Sequence, residues 1–419
     1  MSAGRWAYTR LLWLAAPFIA LRLAWRARRQ PEYLRHVAER FGRYGEAPRS
    51  PVIWIHAVSV GETRAAAPLV EALVQRHPEH SILLTHMTPT GRETGRRLFG
   101  DRLLQAYLPY DYPFAVRRFL AHFRPTLGVL METELWFNLI AGCRQARVPL
   151  YLVNARLSER SYRRYDRFRG LAAEALGALE GILAQTEADA GRLIRLGARR
   201  VEVVGNLKFD LTPPAAQLAQ GQALRALFGS RRPVFLAAST REGEETRVLD
   251  AVARLHVPGL LTVIVPRHPQ RFDEVATLVA RRGLTLQRRS EARPIAPETQ
   301  VVLGDSMGEL FAYYAACDVA FVGGSLVPLG GQNLIEACAV GVPVLVGPHT
   351  FNFEEAAERA VAEGAALRVV DEAALAGAVA ALLADAPRRR RMAEAGRAFA
   401  QRHRGAVERV LARISAGIG

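Results

Sequence analysis

Lysine is almost missing from this chain of 419 residues: Lys208 stands alone among 56 basic side chains, so the other 55 are arginine. An Arg- and Ala-rich coding bias accounts for most of that arginine but not for the exception. An ammonium is a compact point charge on a flexible stem and a guanidinium is a broad planar fork, so position 208 is either a chance survivor or a place that needs the smaller cation. Cysteine is scarce too. Cys143, Cys317 and Cys338 lie far apart, with no C-x-x-C pair and no His-Cys cluster, which excludes zinc and disulfide frameworks and fits a reducing compartment. No D-x-D or H-E-x-x-H spacing occurs, so a divalent metal is not implied. The Walker pattern G-x-x-x-x-G-K is absent and the glycines lack dinucleotide spacing, which removes the usual ATP and NAD cradles.

An uninterrupted apolar run of about 20 residues, the length a spanning helix needs, is also missing. Leu11–Leu21 is apolar, Arg22 interrupts it, and Arg26, Arg28 and Arg29 close it. A cleavable signal would end in small residues, so arginines in that place argue for retention. Three placements stay open: a tilted span with a snorkelling Arg22, an interfacial helix with Trp6, Trp13 and Trp25 at headgroup depth, or a helix buried in the first domain. The arginines after the run favour a cytoplasmic position for the body of the chain. The formal charge of +16 draws the protein to anions, whether nucleic acid, an anionic membrane or a phosphorylated substrate, without choosing among them.

From Val52 the pattern alternates short β-branched runs with helical stretches. Strands are expected at Val52–Ala57, Ile82–Met87, Leu104–Leu108, Leu127–Met131, Leu150–Asn154, Ile182–Gln185 and Val201–Val204. After Leu211–Gly221, a Pro- and Ala-rich stretch that reads as a linker, a second series follows at Val234–Ala238, Leu261–Val265, Val301–Leu303, Val319–Val322, Val344–Val346 and Leu367–Val370. This is the signature of two α/β domains, each a parallel sheet wrapped on both faces. The expected organisation is an anchor at 1–30, a first domain at 31–210, a linker at 211–221, a second domain at 222–390 and a basic helical tail at 391–419, free to pack back on the first domain.

Ligands of such sheets bind beyond the carboxyl ends of the strands, and the polar motifs fall there. H-A-V-S-V-G-E ends at Glu62 in the first turn of a helix, where it reads either as a capping charge or as a site carboxylate. T-H-M-T-P-T-G, 85–91, offers hydroxyls to an anion or a sugar, or an ordinary helix cap. Glu132 and Glu134 follow a strand. Arg156–Arg169 carries six arginines interleaved with Tyr162, Tyr165 and Phe168, which suits nucleic acid, a phosphorylated lipid headgroup or a solvated helix face. Lys208 ends the first series. In the second, P-R-H-P at 266–269, D-S-M-G-E-L from Asp305, and a glycine-rich loop running into Asn333, Leu334, Ile335 and Glu336 suit the phosphate and ribose of a nucleotide.

Taken together, H-A-V-S-V-G-E, M-T-P-T-G, M-E-T-E-L-W, G-N-L-K-F-D, P-R-H-P, D-S-M-G-E-L and G-G-Q-N-L-I-E resemble the 3-deoxy-D-manno-octulosonic acid (Kdo) transferases of lipid A assembly, over nearly the whole chain. The resemblance implies a GT-B fold with two Rossmann-like domains facing a cleft. It also implies CMP-Kdo as donor, lipid IVA as acceptor, inversion at the anomeric carbon, no metal or other cofactor, no nucleic-acid partner, and a place on the cytoplasmic face of the bacterial inner membrane. It carries general-base character to Glu62 and stabilising roles to Glu132 and Lys208, with Glu134 the undecided neighbour. CMP contacts carry to Pro266, Arg267, Met307, Gly308, Glu309, Asn333, Leu334, Ile335 and Glu336. The chain departs from the family at Arg241, where histidine is expected. Other readings are a GT-B transferase using a different nucleotide sugar, and a non-catalytic membrane-bound nucleotide or nucleic-acid binder, against which the carboxylates at the strand ends argue.

Overall fold

The computed structural model describes residues 2–417. By packing, the chain forms two compact units: Met1–Asp210 together with Arg404–Gly419, and Leu211–His403. Each is a doubly wound α/β unit around a seven-stranded, wholly parallel sheet.

The first unit opens with α1 (Ala3–Arg29). It then runs β1 (Val52–His56), α2 (Val60–Arg76), β2 (Ser81–His86), α3 (Pro89–Phe99), β3 (Leu104–Tyr107), α4 (Pro113–Phe123), β4 (Pro125–Met131) and α5 (Phe137–Gln145). Next come β5 (Leu150–Ala155), α6 (Glu159–Asp166), α7 (Arg169–Leu176), β6 (Gly181–Ala184), α8 (Glu187–Arg195) and β7 (Val201–Val203). Sheet order is β3-β2-β1-β4-β5-β6-β7, so the winding reverses between β1 and β4. The strands form because helices cover both faces. All five residues of β1 are buried, as a continuous Val-Ile-Trp-Ile run requires. In α2, Ala65, Ala66, Leu69, Val70 and Leu73 make the apolar stripe on the sheet.

The second unit contains α9 (Ala215–Phe228), β8 (Val234–Thr240), α10 (Glu244–Val252), β9 (Leu261–Pro266), α11 (Phe272–Arg281), β10 (Leu286–Arg288), β11 (Val301–Leu303), α12 (Leu310–Ala316) and β12 (Val319–Val322). It closes with α13 (Ile335–Val340), β13 (Val344–Val346), α14 (Glu354–Ala362), β14 (Ala366–Arg368), α15 (Glu372–Ala384) and α16 (Ala386–Arg402). Its order, β10-β11-β9-β8-β12-β13-β14, reverses between β8 and β12.

Three expectations differ from what is found. The 211–221 stretch is extended only to Pro214, which caps α9; its small residues serve packing instead. A Cβ at Gly221 would stand 2.5 Å from the Ala315 Cβ and 2.8 Å from the Ala312 carbonyl, so α9 lies on α12 at a distance only glycine permits. Gly221→Val is expected to cost about 1–3 kcal/mol, read as a lowered melting temperature. The basic tail divides. Gly396 of α16 lies on the Cys338 backbone within the second unit, while α17 (Ala406–Ile414) joins the first through buried Val407, Val410, Leu411 and Ile414. Asp210 accepts from the amides of Gly405 and Val407, which fixes where α17 begins. Finally, β10 went unforeseen, because Leu-Gln-Arg at a sheet edge has no apolar run to announce it.

Helix α1 is longer than its apolar run suggested, since the flanking arginines and Ala3–Arg10 are helical as well. It is long and apolar enough to cross a membrane by length and composition. Leu11, Leu14, Phe18, Leu21 and Trp25 form an exposed stripe along it. Its first half is held to the unit by polar bonds: Tyr8 donates to Asp111 (2.9 Å), Tyr112 donates to the Leu12 carbonyl (3.0 Å), and Thr9 pairs with Asn138. Asp111 in turn accepts from the amides of Asn138 and Leu139 at the start of α5, and burial raises its carboxyl to about 7.

Candidate active site

Parallel strands put all their carboxyl ends on one side, and the reversal point of a doubly wound sheet opens a crevice there. In the first unit that point lies between β1 and β4, and the expected residues gather around it. Glu62 sits in the first turn of α2. Its carboxylate accepts from the Val58 amide (2.9 Å) and the Ser59 hydroxyl (3.1 Å), while Ser59 caps the helix. The capping reading and the site reading are therefore both physically present in one residue. Burial pushes the Glu62 carboxyl up to about 8, the Glu132 charge adds to this, and Glu134 contributes further against the pull of the two donors. Burial also raises Glu134, with Glu132 adding and the Trp136 side chain opposing.

Glu132 follows β4 with φ of 59°, a left-handed conformation that costs a non-glycine residue about 1 kcal/mol or more. Two bonds hold it there: its amide donates to Val153 O (3.0 Å) and its carbonyl accepts from the Arg156 amide (3.4 Å). Its carboxylate meets Lys208 Nζ at 3.4 Å, both side chains being largely buried. Lys208 lies in the turn after β7, where Asn206 accepts from its amide (3.0 Å) and Asn154 accepts from the Leu207 amide (3.1 Å). The lone lysine thus stands against one of three converging carboxylates, and the other two carry raised pKa values.

The 85–91 loop supports this site from behind. Thr88 caps α3 and also donates to Val58 O (3.2 Å), the Thr85 hydroxyl accepts from the Trp54 indole (2.8 Å), and His86 Nδ1 bonds Ala57 O (3.0 Å). Gly91 makes a close approach there: a Cβ would stand 3.0 Å from Thr88 Oγ1 and 3.2 Å from Val58 O. The helix-cap reading of this loop is present in the structure. His56 and His86 are kept neutral by burial, which lowers them to about 3 and about 4. Arg40 was not foreseen at all; buried over the Tyr107 ring at 4.1 Å, it donates to Met87 O.

The arginine stretch forms α6 and the start of α7. Arg160, Arg163, Arg164, Arg167 and Arg169 are exposed, while Tyr162 and Tyr165 pack into the core. Tyr165 adjoins the acid cluster: burial and then the Glu134 charge raise its pKa. The exposed basic face is therefore next to the carboxylates.

In the second unit the reversal point is spanned by a residue the motifs did not single out. Glu244, at the start of α10 and fully buried, accepts from the amides of Gly324 (2.5 Å), Ser325 (3.0 Å), Leu326 (2.9 Å) and Arg241 (3.2 Å). It ties the glycine-rich loop after β12 to the end of β8. Gly323 is pressed so closely on β8 that a Cβ would meet Ser239 O at 2.7 Å. Gly324, Gly330 and Gly331 take positive φ, and the loop closes through Gly331 N to Gly324 O (2.8 Å) and Gln332 N to Gly323 O (2.9 Å).

Beside it, Pro266 ends β9 and Arg267 begins the next loop, its amide donating to Thr240 O (2.9 Å). Arg241 lies with it: His268 is lowered by partial burial and by the charges of Arg241, Arg267 and Arg271. Arg271 is engaged by buried Glu245 (2.9 Å). Met307 is exposed, and Gly308, at φ of 86°, faces open space. Glu309 is different from expectation. Its carboxylate is held by Ser306, Gln220 and Arg289, so it shapes the loop from inside. Leu334 and Ile335 likewise bury their side chains in the core, which leaves only their backbone to face a ligand. Asn333 accepts from the Ile335 amide and donates to Glu336 (3.2 Å).

Comparison with known proteins identifies the family and the fold. Residues 35–211 fit the family described as 3-deoxy-D-manno-octulosonic-acid transferase (kdotransferase), and residues 247–399 fit glycosyl transferases group 1. The 3-deoxy-D-manno-octulosonic acid transferase of Bordetella pertussis is 48% identical over 99% of this chain and 100% of its own length. That of Haemophilus influenzae is 41% identical over 97% of each. Among solved structures, a glycosyltransferase from Rickettsia africae superposes with a TM-score of 0.60 at 12% identity, covering 88% of this chain and 99% of that one, a likeness that bears on the GT-B fold alone.

Proposed function

Because the chain belongs to the 3-deoxy-D-manno-octulosonic acid transferase family, we propose that it transfers Kdo from CMP-Kdo to lipid IVA at the cytoplasmic face of the bacterial inner membrane, with inversion and release of CMP. The observation that carries this reading is the set of three carboxylates at the reversal point of the first sheet, one paired with Lys208 and one, Glu62, raised to about 8. A carboxylate of that basicity is matched to taking a proton from a hydroxyl near neutral pH.

In the proposed step the acceptor's primary hydroxyl oxygen bonds to the anomeric carbon of Kdo and its proton passes to Glu62. The bond from that carbon to the phosphate oxygen of CMP breaks, and its electron pair leaves with CMP. Within the second unit Arg267 is the cation assigned to the departing phosphate charge, so that a fixed side chain does what a divalent metal does elsewhere. Glu132 holds Lys208 or steadies positive charge on the sugar, with Glu134 its undecided neighbour. The arginines of α6 suit the two phosphates of the acceptor, and the apolar stripe of α1 suits the membrane that carries it.

The test is the reaction itself. Full-length protein in detergent, given CMP-Kdo and lipid IVA, is expected to release CMP and yield lipid IVA heavier by whole Kdo units in mass spectrometry, which also counts them. Unmodified lipid IVA, or consumption of a different nucleotide sugar in a donor panel, would sink the assignment.

A further inference from the structure

At the opposite end of the first sheet, the turn between α2 and β2 reads His77-Pro-Glu79-His80. His77 terminates α2 and the His80 amide donates to its carbonyl (3.0 Å), which folds the turn back on itself. Both imidazoles point the same nitrogen at the same oxygen: His77 Nδ1 lies 3.4 Å and His80 Nδ1 2.7 Å from Glu79 Oε1. The rings stand perpendicular, at 87°, with centroids 5.6 Å apart, so they converge on Glu79 from two directions. All three ligand atoms lie within 4.8 Å of one another. The histidine side chains are mostly sheltered, at 18% and 8% exposure, whereas the carboxylate is at 59%.

We propose that His77, Glu79 and His80 form a binding site for one zinc ion, separate from the sugar-transfer chemistry. A tetrahedral ion with bonds of about 2.0–2.1 Å needs its donors about 3.3 Å apart. The His77–Glu79 spacing already has that value, the His80–Glu79 contact opens by about half an ångström, and the histidine pair closes by small rotations of the two rings. Two neutral imidazoles and one carboxylate suit Zn²⁺ and its neighbours Ni²⁺ and Cu²⁺, and disfavour Mg²⁺ and Ca²⁺, which prefer oxygen ligands throughout. The exposed side of Glu79 leaves room for water as the fourth ligand. Arg76, the adjacent cation in the chain, is turned away and bound by both oxygens of Glu408 at 2.7 Å, so it does not repel an ion at the turn. The strand β2, six residues long, separates this turn from the loop behind Glu62 by about 20 Å. The ion would therefore act as a staple between α2 and β2 and take no part in the transfer.

Full-length protein in detergent, stripped with chelator and dialysed, is titrated with Zn²⁺ by calorimetry and with Co²⁺ by visible absorption. One ion per chain is expected, with a tetrahedral Co²⁺ spectrum that Zn²⁺ abolishes, and no response to Mg²⁺. Loss of an outer-shell partner typically weakens metal binding 10- to 100-fold. Removing a ligand outright by His77→Ala, His80→Ala or Glu79→Gln should therefore weaken Zn²⁺ at least about tenfold. The His80 and His77 side chains are sheltered, so a circular dichroism melt checks that their variants fold, and Glu79→Gln, at a side chain 59% exposed, disturbs packing least. Zn²⁺ bound with parental affinity by the histidine variants, or not bound by the parent at millimolar concentration, would overturn the proposal.

Discussion

Glu62→Gln protein is expected to bind CMP as the parent does and to lose about 10²–10⁴-fold in kcat, the range a positioned general base contributes. Glutamine keeps the local structure, because its oxygen can still accept from the Val58 amide and its shape still fills the cap beside Ser59. Lost activity in this variant thus reports lost basicity. Ionisation sets the pH dependence. With its carboxyl raised to about 8, Glu62 is protonated and idle in acid, so kcat/KM of the parent should climb about tenfold per pH unit below 8 and level off above it. Stability should move oppositely. Between its ordinary 4.5 and about 8 the folded chain holds a proton that the unfolded chain has released, so ionising Glu62 costs stability as pH rises through that window. The Gln variant escapes this cost, and its melting temperature should exceed the parent's increasingly from pH 5 to pH 8. Near-parental turnover by a folded Gln variant would remove Glu62 from the base role.

The same three carboxylates mark what a sequence can and cannot convey. Strand positions were legible in both units because a buried parallel strand is a short run of β-branched residues, and thirteen such runs fall on strands within a residue or two. Once those strands are parallel, every loop after a strand lies on one side, so Glu62, Glu132, Glu134 and Lys208 could be placed near one another without coordinates. What stayed illegible was the division of labour inside the loops. Nothing in the string M-E-T-E says that Glu132 takes a left-handed backbone and meets Lys208 while Glu134 lies by Trp136. Thr88 reads equally as a ligand donor or a cap, and only the structure shows that it caps α3 and bonds Val58 O. In the second unit Leu334 and Ile335 belong to a motif whose polar neighbours face outward, yet their own side chains are core. Glu309 sits in a binding-type sequence, D-S-M-G-E, while its partners Gln220 and Arg289 lie far away in the chain. Period and polarity give the face of an element; the partner of a side chain depends on contacts between distant segments, which local pattern does not encode.

Glu244 is the sharpest case, and its substitution should have the largest effect on the second unit. One buried carboxylate accepts from four amides, three of them consecutive in the glycine-rich loop. Burial alone raises its pKa and the amides oppose that. Removing it strands those N–H groups away from water, each at a cost of about 1–3 kcal/mol, in a loop whose glycines take positive φ. Glu244→Ala is expected to lose at least about 3 kcal/mol, a fall in melting temperature on the order of 10 °C, and to weaken CMP binding more than tenfold. Glutamine offers no rescue here, in contrast to Glu62. The amide group replaces one acceptor oxygen by a donor, which would face the backbone donors of Ser325 and Leu326 or of Gly324 and Arg241, whichever way it turns. Glu244→Gln should therefore resemble Glu244→Ala in both thermal unfolding and calorimetric CMP binding. Parental stability in the Gln variant would mean that the loop holds its shape without the carboxylate.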